Sequence, residues 1–389
     1  MILRMKKLNL RTVFFCFLFS FTFSQFTSSI KTARMYEVRK DWDSAISIYK
    51  DIISKSPNNF QAIRSLKNIY KKSHRYEDGI NFHHQNSKNV FYKIFGNSEL
   101  INKIIPKTLS VNSFEVIHTE DEVKGTDSVL SAAKRGKQTS MWLAIESVKK
   151  KTSDIVVSAG NTGALFVIAK LNLKMIETID KPALSGLWPN KTGTNVVLDL
   201  GASIDCSEKN LIDFSLMGSA LFKALFPNEE AKVALLNIGS EELKGTEMIK
   251  ATYKTLNNQS NKIYKFKGYI EGNEMMNGDV NVIVTDGFTG NVALKTAEGT
   301  ANFITNELKK AMTENLFGKI ASIINLKNIN KFKKRLDPRL YNGGIFLGLD
   351  SPVVKSHGST DYIGFSNSLG MCEKIVSGNL IDKIKQNID

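Results

Sequence analysis

Short apolar runs that end in glycine-containing turns recur from about residue 90 onward. Four of these runs cover residues 154–158, 195–199, 232–237 and 280–285, and stretches with a helical pattern follow them. Apolar strands that alternate with helices predict a mostly parallel sheet with helices on both faces. The pattern therefore predicts a three-layer α/β fold.

The first 86 residues follow a different pattern. Basic residues precede an apolar run at Val13–Phe23, which predicts a signal-peptide-like segment over residues 1–25. Residues 26–86 contain a weak repeat with a period of 34 residues, in which aromatic and small positions recur. This spacing predicts two tetratricopeptide-like helical repeats, with a plain helical hairpin as the alternative.

The turns after the apolar runs combine glycine with asparagine, aspartate, serine or threonine. Examples are Gly160–Gly163, Gly201, Gly239 and Gly287–Gly290. Glycine lets the backbone approach a ligand closely, and free N–H groups at the start of a helix favour an anion. Ligands in parallel sheets bind at the carboxyl ends of the strands. The turns therefore predict a phosphate-binding cleft, with ordinary turn and helix-cap chemistry as the alternative.

Charge and motifs narrow the class of protein. The net charge is +15, but residues 1–100 contribute +10 and residues 305–339 contribute +6, which leaves the other 254 residues near neutral. Nucleic acid is therefore not a predicted partner. The Walker lysine loop, GxGxxG and GxSxG are absent, and the three cysteines form no CxxC pair.

Two histidine-containing segments are interpreted differently. His357 lies in the turn Val353–Asp361, where lysine, imidazole, hydroxyls and glycine come together. Imidazole exchanges protons near neutral pH and lysine can hold a phosphate, so this turn is a candidate site, with a capped, solvated turn as the alternative. His83 and His84 are expected to lie in a solvated loop.

Many ordered motifs in residues 88–389 resemble the bacterial phosphate acyltransferase family. They include Ser158–Ala164, Leu198–Gly201, Leu236–Gly239, Lys244–Gly245, Ile270–Gly272, Asp286–Asn291, Leu294–Thr296, Tyr341–Gly344 with Asn342 as an apparent insertion, and His357–Ser359. The resemblance implies a fold similar to isocitrate and isopropylmalate dehydrogenases or phosphotransacetylase, usually in a homodimer.

The resemblance also implies a reaction. Fatty acyl-[acyl-carrier protein] and inorganic phosphate would give acyl phosphate and free carrier protein, without a metal or organic cofactor. The product would pass to a downstream membrane acyltransferase of phospholipid synthesis. The implied location is the cytoplasm, with membrane association as an option, and the signal-like N-terminus conflicts with this location.

The resemblance implies candidate site residues at the matching positions of this chain. The predicted catalytic residues are His357, Lys244 and Asp286, and no metal ligand is predicted. The predicted phosphate- or substrate-binding residues are Gly160, Asn161, Thr162, Gly163, Lys191, Asp199, Gly201, Asp205, Asn237, Gly287, Thr289, Gly290, Asn291, Lys295 and Ser359.

The chain departs from the family's pattern at its start. The family opens with a strand and a Gly-Gly-Asp turn, and the signal-like segment and repeats take that place here. The predicted domains are therefore residues 1–25, residues 26–86, and an acyltransferase-like domain over residues 87–389 that lacks the first strand.

A second basic region follows an amphipathic pattern between Leu308 and Leu340. Its apolar residues recur at helical spacing before a cluster of lysines. The pattern predicts contact with an anionic membrane or with acidic carrier protein, and a core or dimer-packing helix is the alternative. The residues predicted to make this contact are Ile320, Ile323, Ile324, Lys331, Lys333 and Lys334.

Two other functions remain open on the sequence. One is a phosphotransacetylase-like enzyme that uses acyl-CoA as the donor. The other is an exported, repeat-containing interaction protein with an inactive enzyme remnant.

Overall fold

The structure is a computed structural model of the chain. It describes residues 30–39, 41–56, 59, 61–62, 65–66, 69, 80–81, 83–84, 90–106, 109–134, 136–259, 262–335 and 337–388. The predicted signal-peptide-like segment, residues 1–25, lies outside this set, as does most of the predicted second repeat. The chain divides into two compact units, residues 1–75 and residues 76–389.

Two helical stretches are described in the first unit. Residues 30–38 are helical, and helix α1 covers Trp42–Lys55. Asp41 caps α1 by accepting a hydrogen bond from the Ser44 amide. The Tyr49 side chain is buried and its hydroxyl donates to Glu37 Oε1 at 2.6 Å. These contacts fit a helical hairpin, and the assignment to tetratricopeptide repeats stays a prediction.

An eight-stranded sheet organises the second unit, with strand order β3–β10–β9–β4–β5–β8–β6–β7. The strands are β3 Val156–Ser158, β4 Ala183–Pro189, β5 Thr194–Leu198, β6 Ala231–Asn237, β7 Tyr264–Glu271, β8 Val282–Val284, β9 Gly344–Leu347 and β10 Val353–Lys355.

Helices cover both faces of this sheet, as its alternating side chains require. Val196 and Leu198 of β5 pack into one core cluster, which includes Phe214 of the helix Glu208–Leu225. Val197 belongs to a second cluster, against which Leu294 of the helix Gly287–Thr313 packs. Successive strand residues face opposite sides of a sheet, so this alternation places apolar layers on both faces. The three-layer α/β prediction is confirmed.

The helices of the second unit run mostly between the strands. They are α2 Ser98–Ile104, α3 Val129–Lys134, α4 Ser140–Lys149, α5 Thr162–Asn172, α6 Glu208–Leu225, α7 Glu247–Asn258, α8 Gly287–Thr313, α9 Leu316–Ile324, α10 Leu326–Arg335, α11 Tyr362–Ser377 and α12 Leu380–Lys385. Among the residues described, no helix is long and apolar enough to cross a membrane.

Strand direction reverses in the middle of the sheet. The pairs β10–β9, β9–β4 and β4–β5 are antiparallel, whereas β3–β10, β5–β8, β8–β6 and β6–β7 are parallel. As a result β3, β10 and β4 run opposite to β9, β5, β8, β6 and β7. The turns after β3 and β10 therefore leave the sheet in the opposite direction to the turns after β5, β8 and β6.

A second, two-stranded sheet precedes the large one. Strands β1 (Tyr92–Gly96) and β2 (Phe114–His118) pair in parallel, joined through α2. Helix α4 packs against both β1 and β3. In the described part of the chain, β3 is one edge strand of the larger sheet and β7 is the other.

His83 lies in the core beside β1. The residue is only 6% exposed, its Nδ1 lies 2.7 Å from the Tyr92 hydroxyl, and its Nε2 lies 3.5 Å from Glu373 Oε2. Burial lowers the pKa of His83. The prediction of a solvated loop is therefore wrong for this residue, because Tyr92 gives the imidazole a buried hydrogen-bond partner.

Candidate active site

The turns after β3 and β10 form the first group of candidate residues. Ser158 and Lys355 are paired at the ends of these strands, and the Ser356 amide donates to the Ser158 carbonyl at 2.9 Å. Both turns therefore start side by side. The predicted residues Gly160, Asn161, Thr162, Gly163, His357 and Ser359 all lie in this group.

Asn161 fixes the start of helix α5. Its Oδ1 accepts from the Ala164 amide at 3.0 Å, and its Nδ2 donates to the Gly125 carbonyl at 3.2 Å. Asn161 thus acts as an N-cap rather than as a free ligand. The amides of Thr162 and Gly163, in the first turn of α5, find no acceptor among the described residues, so they can receive an anion.

Hydrogen bonds define the orientation of the His357 ring. The Ser359 amide donates to His357 Nδ1 at 3.3 Å, and the Ser359 hydroxyl lies 2.9 Å from the same nitrogen. Because Nδ1 accepts, the neutral ring carries its proton on Nε2. His357 can therefore offer an Nε2–H donor to a substrate oxygen, and Ser359 sets this tautomer.

The Asn342 side chain stabilises the His357 turn by hydrogen bonds, a role that the sequence did not reveal. Its Oδ1 accepts from the His357 amide at 2.9 Å, and its Nδ2 lies 2.8 Å from both Ser356 Oγ and the Gly364 carbonyl. Asn342 is buried, so each of these bonds is costly to lose. The predicted "insertion" is thus a structural part of the site.

The turns after β5, β8 and β6 form the second group. Asp199, fully buried at the end of β5, accepts four backbone N–H bonds, from Leu184 at 2.8 Å, Gly201 at 3.1 Å, Ala202 at 3.0 Å and Ser203 at 2.6 Å. Burial raises the pKa of the Asp199 carboxyl, and the four N–H groups oppose this rise. All four of these hydrogen bonds come from backbone amides, so Asp199 shapes the turn.

Asp286 caps helix α8 in the neighbouring turn. Its carboxylate accepts from the Thr289 amide at 2.9 Å and from the Thr289 hydroxyl at 2.7 Å. The Gly287 amide donates to the Ser203 carbonyl at 2.9 Å, and the Gly290 amide donates to the Asp286 carbonyl at 3.0 Å. These three amides already have protein acceptors, contrary to the expectation that Gly287–Gly290 is open to phosphate.

Two asparagine side chains stabilise further turns of this second group by donating hydrogen bonds to backbone carbonyls. Asn291 Nδ2 donates to the Leu200 carbonyl at 3.0 Å. Asn237 Nδ2 donates to the carbonyls of Gly239 and Lys244, both at 3.1 Å. Asn237 thereby closes the loop on which the Lys244 side chain is exposed.

The other predicted polar residues lie at the surface. Lys191 Nζ donates to Asn277 Oδ1 at 2.7 Å. Lys295 pairs with Glu298 at 2.9 Å on α8. Asp205 is exposed next to the second group. The two groups of turns point in opposite directions along the sheet, but both start level with the middle of β4. Lys355 pairs with Gly344, the next residue Ile345 pairs with Ser185 of β4, and Gly186 of β4 pairs with Val197 of β5.

The amphipathic region forms two helices at the surface. Helix α9 has no buried residue, and Ile323 and Ile324 are 71% and 81% exposed. Ile320 is also exposed, on the same helix. Lys331, Lys333 and Lys334 lie on α10. The alternative of a core helix within the second unit is therefore wrong, because α9 buries none of its side chains there.

Comparison with known proteins identifies relatives over most of the second unit. A family model described as "Fatty acid synthesis protein" matches residues 78–383. The "Phosphate acyltransferase" of Pelagibacter ubique is 71% identical over 311 residues, which are 80% of this chain and 93% of that protein. The protein of the same name from Paramagnetospirillum magneticum is 40% identical over 313 residues, covering 80% of this chain and 89% of the relative.

Solved structures give a weaker likeness. The chain is similar to "EutD phosphotransacetylase from Staphylococcus aureus", with a TM-score of 0.47 and 13% identity over 78% of this chain and 99% of that one. The sequence matches are decisive, because the family model spans most of the chain and a relative shares 71% identity across 80% of it. The chain belongs to the phosphate acyltransferase family.

Proposed function

We propose that the protein transfers the acyl group of fatty acyl-[acyl-carrier protein] to inorganic phosphate, which gives acyl phosphate and free carrier protein. The observation that carries this proposal is the 71% identity with a protein named phosphate acyltransferase. The amides of Thr162 and Gly163 beside the His357 turn support it, because they form a place for an anion next to a hydrogen-bond donor.

The reaction joins a phosphate oxygen to the thioester carbonyl carbon and breaks the carbon–sulfur bond. The proton of hydrogen phosphate ends on the departing thiol of the carrier protein, so atoms and charge balance. In the intermediate the carbonyl oxygen becomes an oxyanion. The Nε2–H of His357 would donate to this oxygen, and the α5 amides would hold the phosphate.

The two other predicted catalytic residues take different roles in this proposal. Asp286 positions the start of α8 through Thr289. Lys244, exposed on its loop, supplies a cation toward the incoming acidic carrier protein.

Replacing His357 by alanine is expected to lower kcat for acyl phosphate formation about 10²- to 10³-fold, because the hydrogen-bond donor to the oxyanion is lost. Acyl phosphate is measured by trapping with hydroxylamine. His118→Ala is the matched control, since His118 is an exposed histidine at the end of β2 with its own partners, Ser98 and Glu120. If both His357→Ala and Lys244→Ala keep wild-type rates, the site assignment is wrong.

The acyl donor separates this proposal from the nearest alternative. The same assay is run with acyl-[acyl-carrier protein] and with acyl-CoA of the same chain length. A higher kcat/KM with acyl-CoA would favour the phosphotransacetylase-like function instead.

The exposed helix α9 supports a further part of the proposal, contact with a membrane containing anionic lipid. Its apolar residues are exposed and α10 follows with lysines. Changing Ile323 and Ile324 together to aspartate is expected to abolish sedimentation with phosphatidylglycerol-containing liposomes, because two charges enter the apolar face. Leu100 and Val111, which are 60% and 81% exposed elsewhere, provide a control with the same charge change. Equal binding by both double variants would remove the membrane role.

The remaining proposals concern assembly and location. We propose a cytoplasmic homodimer that hands acyl phosphate to a membrane acyltransferase. The intact mass of the native protein tests the exported alternative: cleavage near Gln25 would favour export, and a start beyond the repeats would favour the enzyme.

A further inference from the structure

Lys355 is a cation without a counter-ion at the end of β10. Its side chain is partly buried, and among the described residues it forms no ion pair. Other candidate lysines have partners or lie in solvent: Lys191 meets Asn277, Lys295 meets Glu298, and Lys244 is exposed. A charge that is partly removed from water is normally paired with an opposite charge, and Lys355 has no such pair among the described residues. An anion from outside the chain would supply it.

The position of Lys355 is fixed by strand register. Lys355 pairs with Ser158 of β3, so its ammonium reaches the turn that leads into α5. Lys355 Nζ donates to the Ala159 carbonyl at 3.5 Å and to the Ser356 carbonyl. Two neutral carbonyls hold the ammonium in place, and a third N–H remains for a ligand.

The electrostatic setting of this ammonium is unfavourable without a ligand. Burial lowers the pKa of Lys355 to about 8, and no carboxylate offsets that effect. The nearby start of α5 adds the positive end of a helix dipole and the open amides of Thr162 and Gly163. An anion bound between the Lys355 ammonium and the start of α5 would offset both positive charges.

The other charged groups nearby do not replace that anion. The turn from Ser158 to Thr162 is uncharged. In the turn that follows Lys355, the charged or titratable groups are His357 and Asp361. The Asp361 carboxylate forms an ion pair with Arg339 at 2.7 Å and accepts a hydrogen bond from the Gly364 amide.

We propose that Lys355 is a catalytic residue that binds the attacking phosphate, together with the first amides of helix α5. This inference rests on the proposed function for the identity of the anion as substrate. The ammonium would contact a phosphate oxygen and orient the opposite oxygen toward the thioester carbonyl.

The first experiment measures phosphate binding without turnover. The full chain is treated with an amine-acylating reagent near pH 8, and labelling of each lysine is followed by mass spectrometry with and without inorganic phosphate. Phosphate at ten times its dissociation constant is expected to slow labelling of Lys355 about tenfold. Lys383, a partly buried lysine that donates to the Gly378 carbonyl, is the internal control and should not respond.

The second experiment measures kinetics. Lys355→Met is expected to raise KM for phosphate about 10- to 100-fold, with KM for the acyl donor unchanged, because one charge-assisted hydrogen bond is lost. Lys355→Arg keeps the charge and should retain most of the phosphate affinity, and Lys383→Met should behave as wild type. In the wild type, KM for phosphate should rise as pH increases through about 8, and Lys355→Met should lack this rise.

The two experiments distinguish failure of the proposed function from failure of the role of Lys355. Protection of Lys355 by phosphate without acyl phosphate formation would uphold the phosphate site and overturn the proposed function. Acyl phosphate formation with an unchanged phosphate KM in Lys355→Met, or labelling of Lys355 that ignores phosphate, would overturn the role of Lys355.

Discussion

Replacing Gly290 by alanine is expected to destabilise the protein by about 3 kcal/mol or more and to remove activity. A Cβ at this position would lie 1.9 Å from the Asp199 main-chain oxygen and 3.0 Å from Thr285 Cγ2. The backbone oxygen cannot rotate away, so α8 or the Asp199 turn must move, and overpacking of this kind costs about 1–3 kcal/mol even where side chains can yield. Urea denaturation measures the change.

Gly299→Ala is the matched control for this variant. Gly299 lies on the same helix, α8, is exposed, and has no atom within 4 Å of the place that the methyl group of an alanine would take. Alanine there should stabilise the protein by about 0.5–1 kcal/mol, because glycine is a poor helix former. Equal losses of stability in both variants would contradict the close approach of α8 to β5.

Replacing Asp199 by asparagine has the second largest expected effect. The amide keeps one oxygen, but its NH₂ group cannot accept the N–H bonds that the lost oxygen received, and in one orientation it faces the Ser203 amide. A buried unsatisfied donor costs about 1–3 kcal/mol, and more where a charged acceptor is lost, so we expect a loss of about 3 kcal/mol in the free energy of unfolding. Asp279→Asn, which changes an exposed carboxylate, should have almost no effect.

The pH dependence gives this variant a second readout. Burial raises the pKa of Asp199 in the folded protein above its value in the unfolded chain. The folded state therefore binds more protons between the two values, and the wild type loses stability as pH rises through that interval. The asparagine variant should lack this contribution, and an unchanged slope of stability against pH would contradict it.

Local patterns predicted the strands but not their directions. The runs at 154–158, 195–199, 232–237 and 280–285 coincide to within a few residues with β3, β5, β6 and β8, because buried strands need continuous apolar residues. The short strands β9 and β10 and the hairpin partner β4 supply the antiparallel pairs. Direction depends on which distant strands pair, and apolar periodicity carries no information on that.

Residue type alone also left the roles of polar side chains open. Asn161 and Asp286 follow the pattern of a phosphate loop, and the structure uses both as helix caps. The same oxygen chemistry serves a cap and a ligand site, so only the hydrogen-bond partner separates them. Asn342 and His83 were missed because their partners, His357 and Tyr92, are brought near by tertiary packing.

The pairing of β3 with β10 has a consequence for synthesis on the ribosome. Ser158 and Lys355 are neighbours in the sheet but 197 residues apart in the chain. A nascent chain translated only as far as α8 can fold much of α6 and its strands, yet β3 then lacks its hydrogen-bonding partner. The turn that holds Gly160–Gly163 is completed only when the last 40 or so residues emerge, so truncated products would lack that half of the site from the outset.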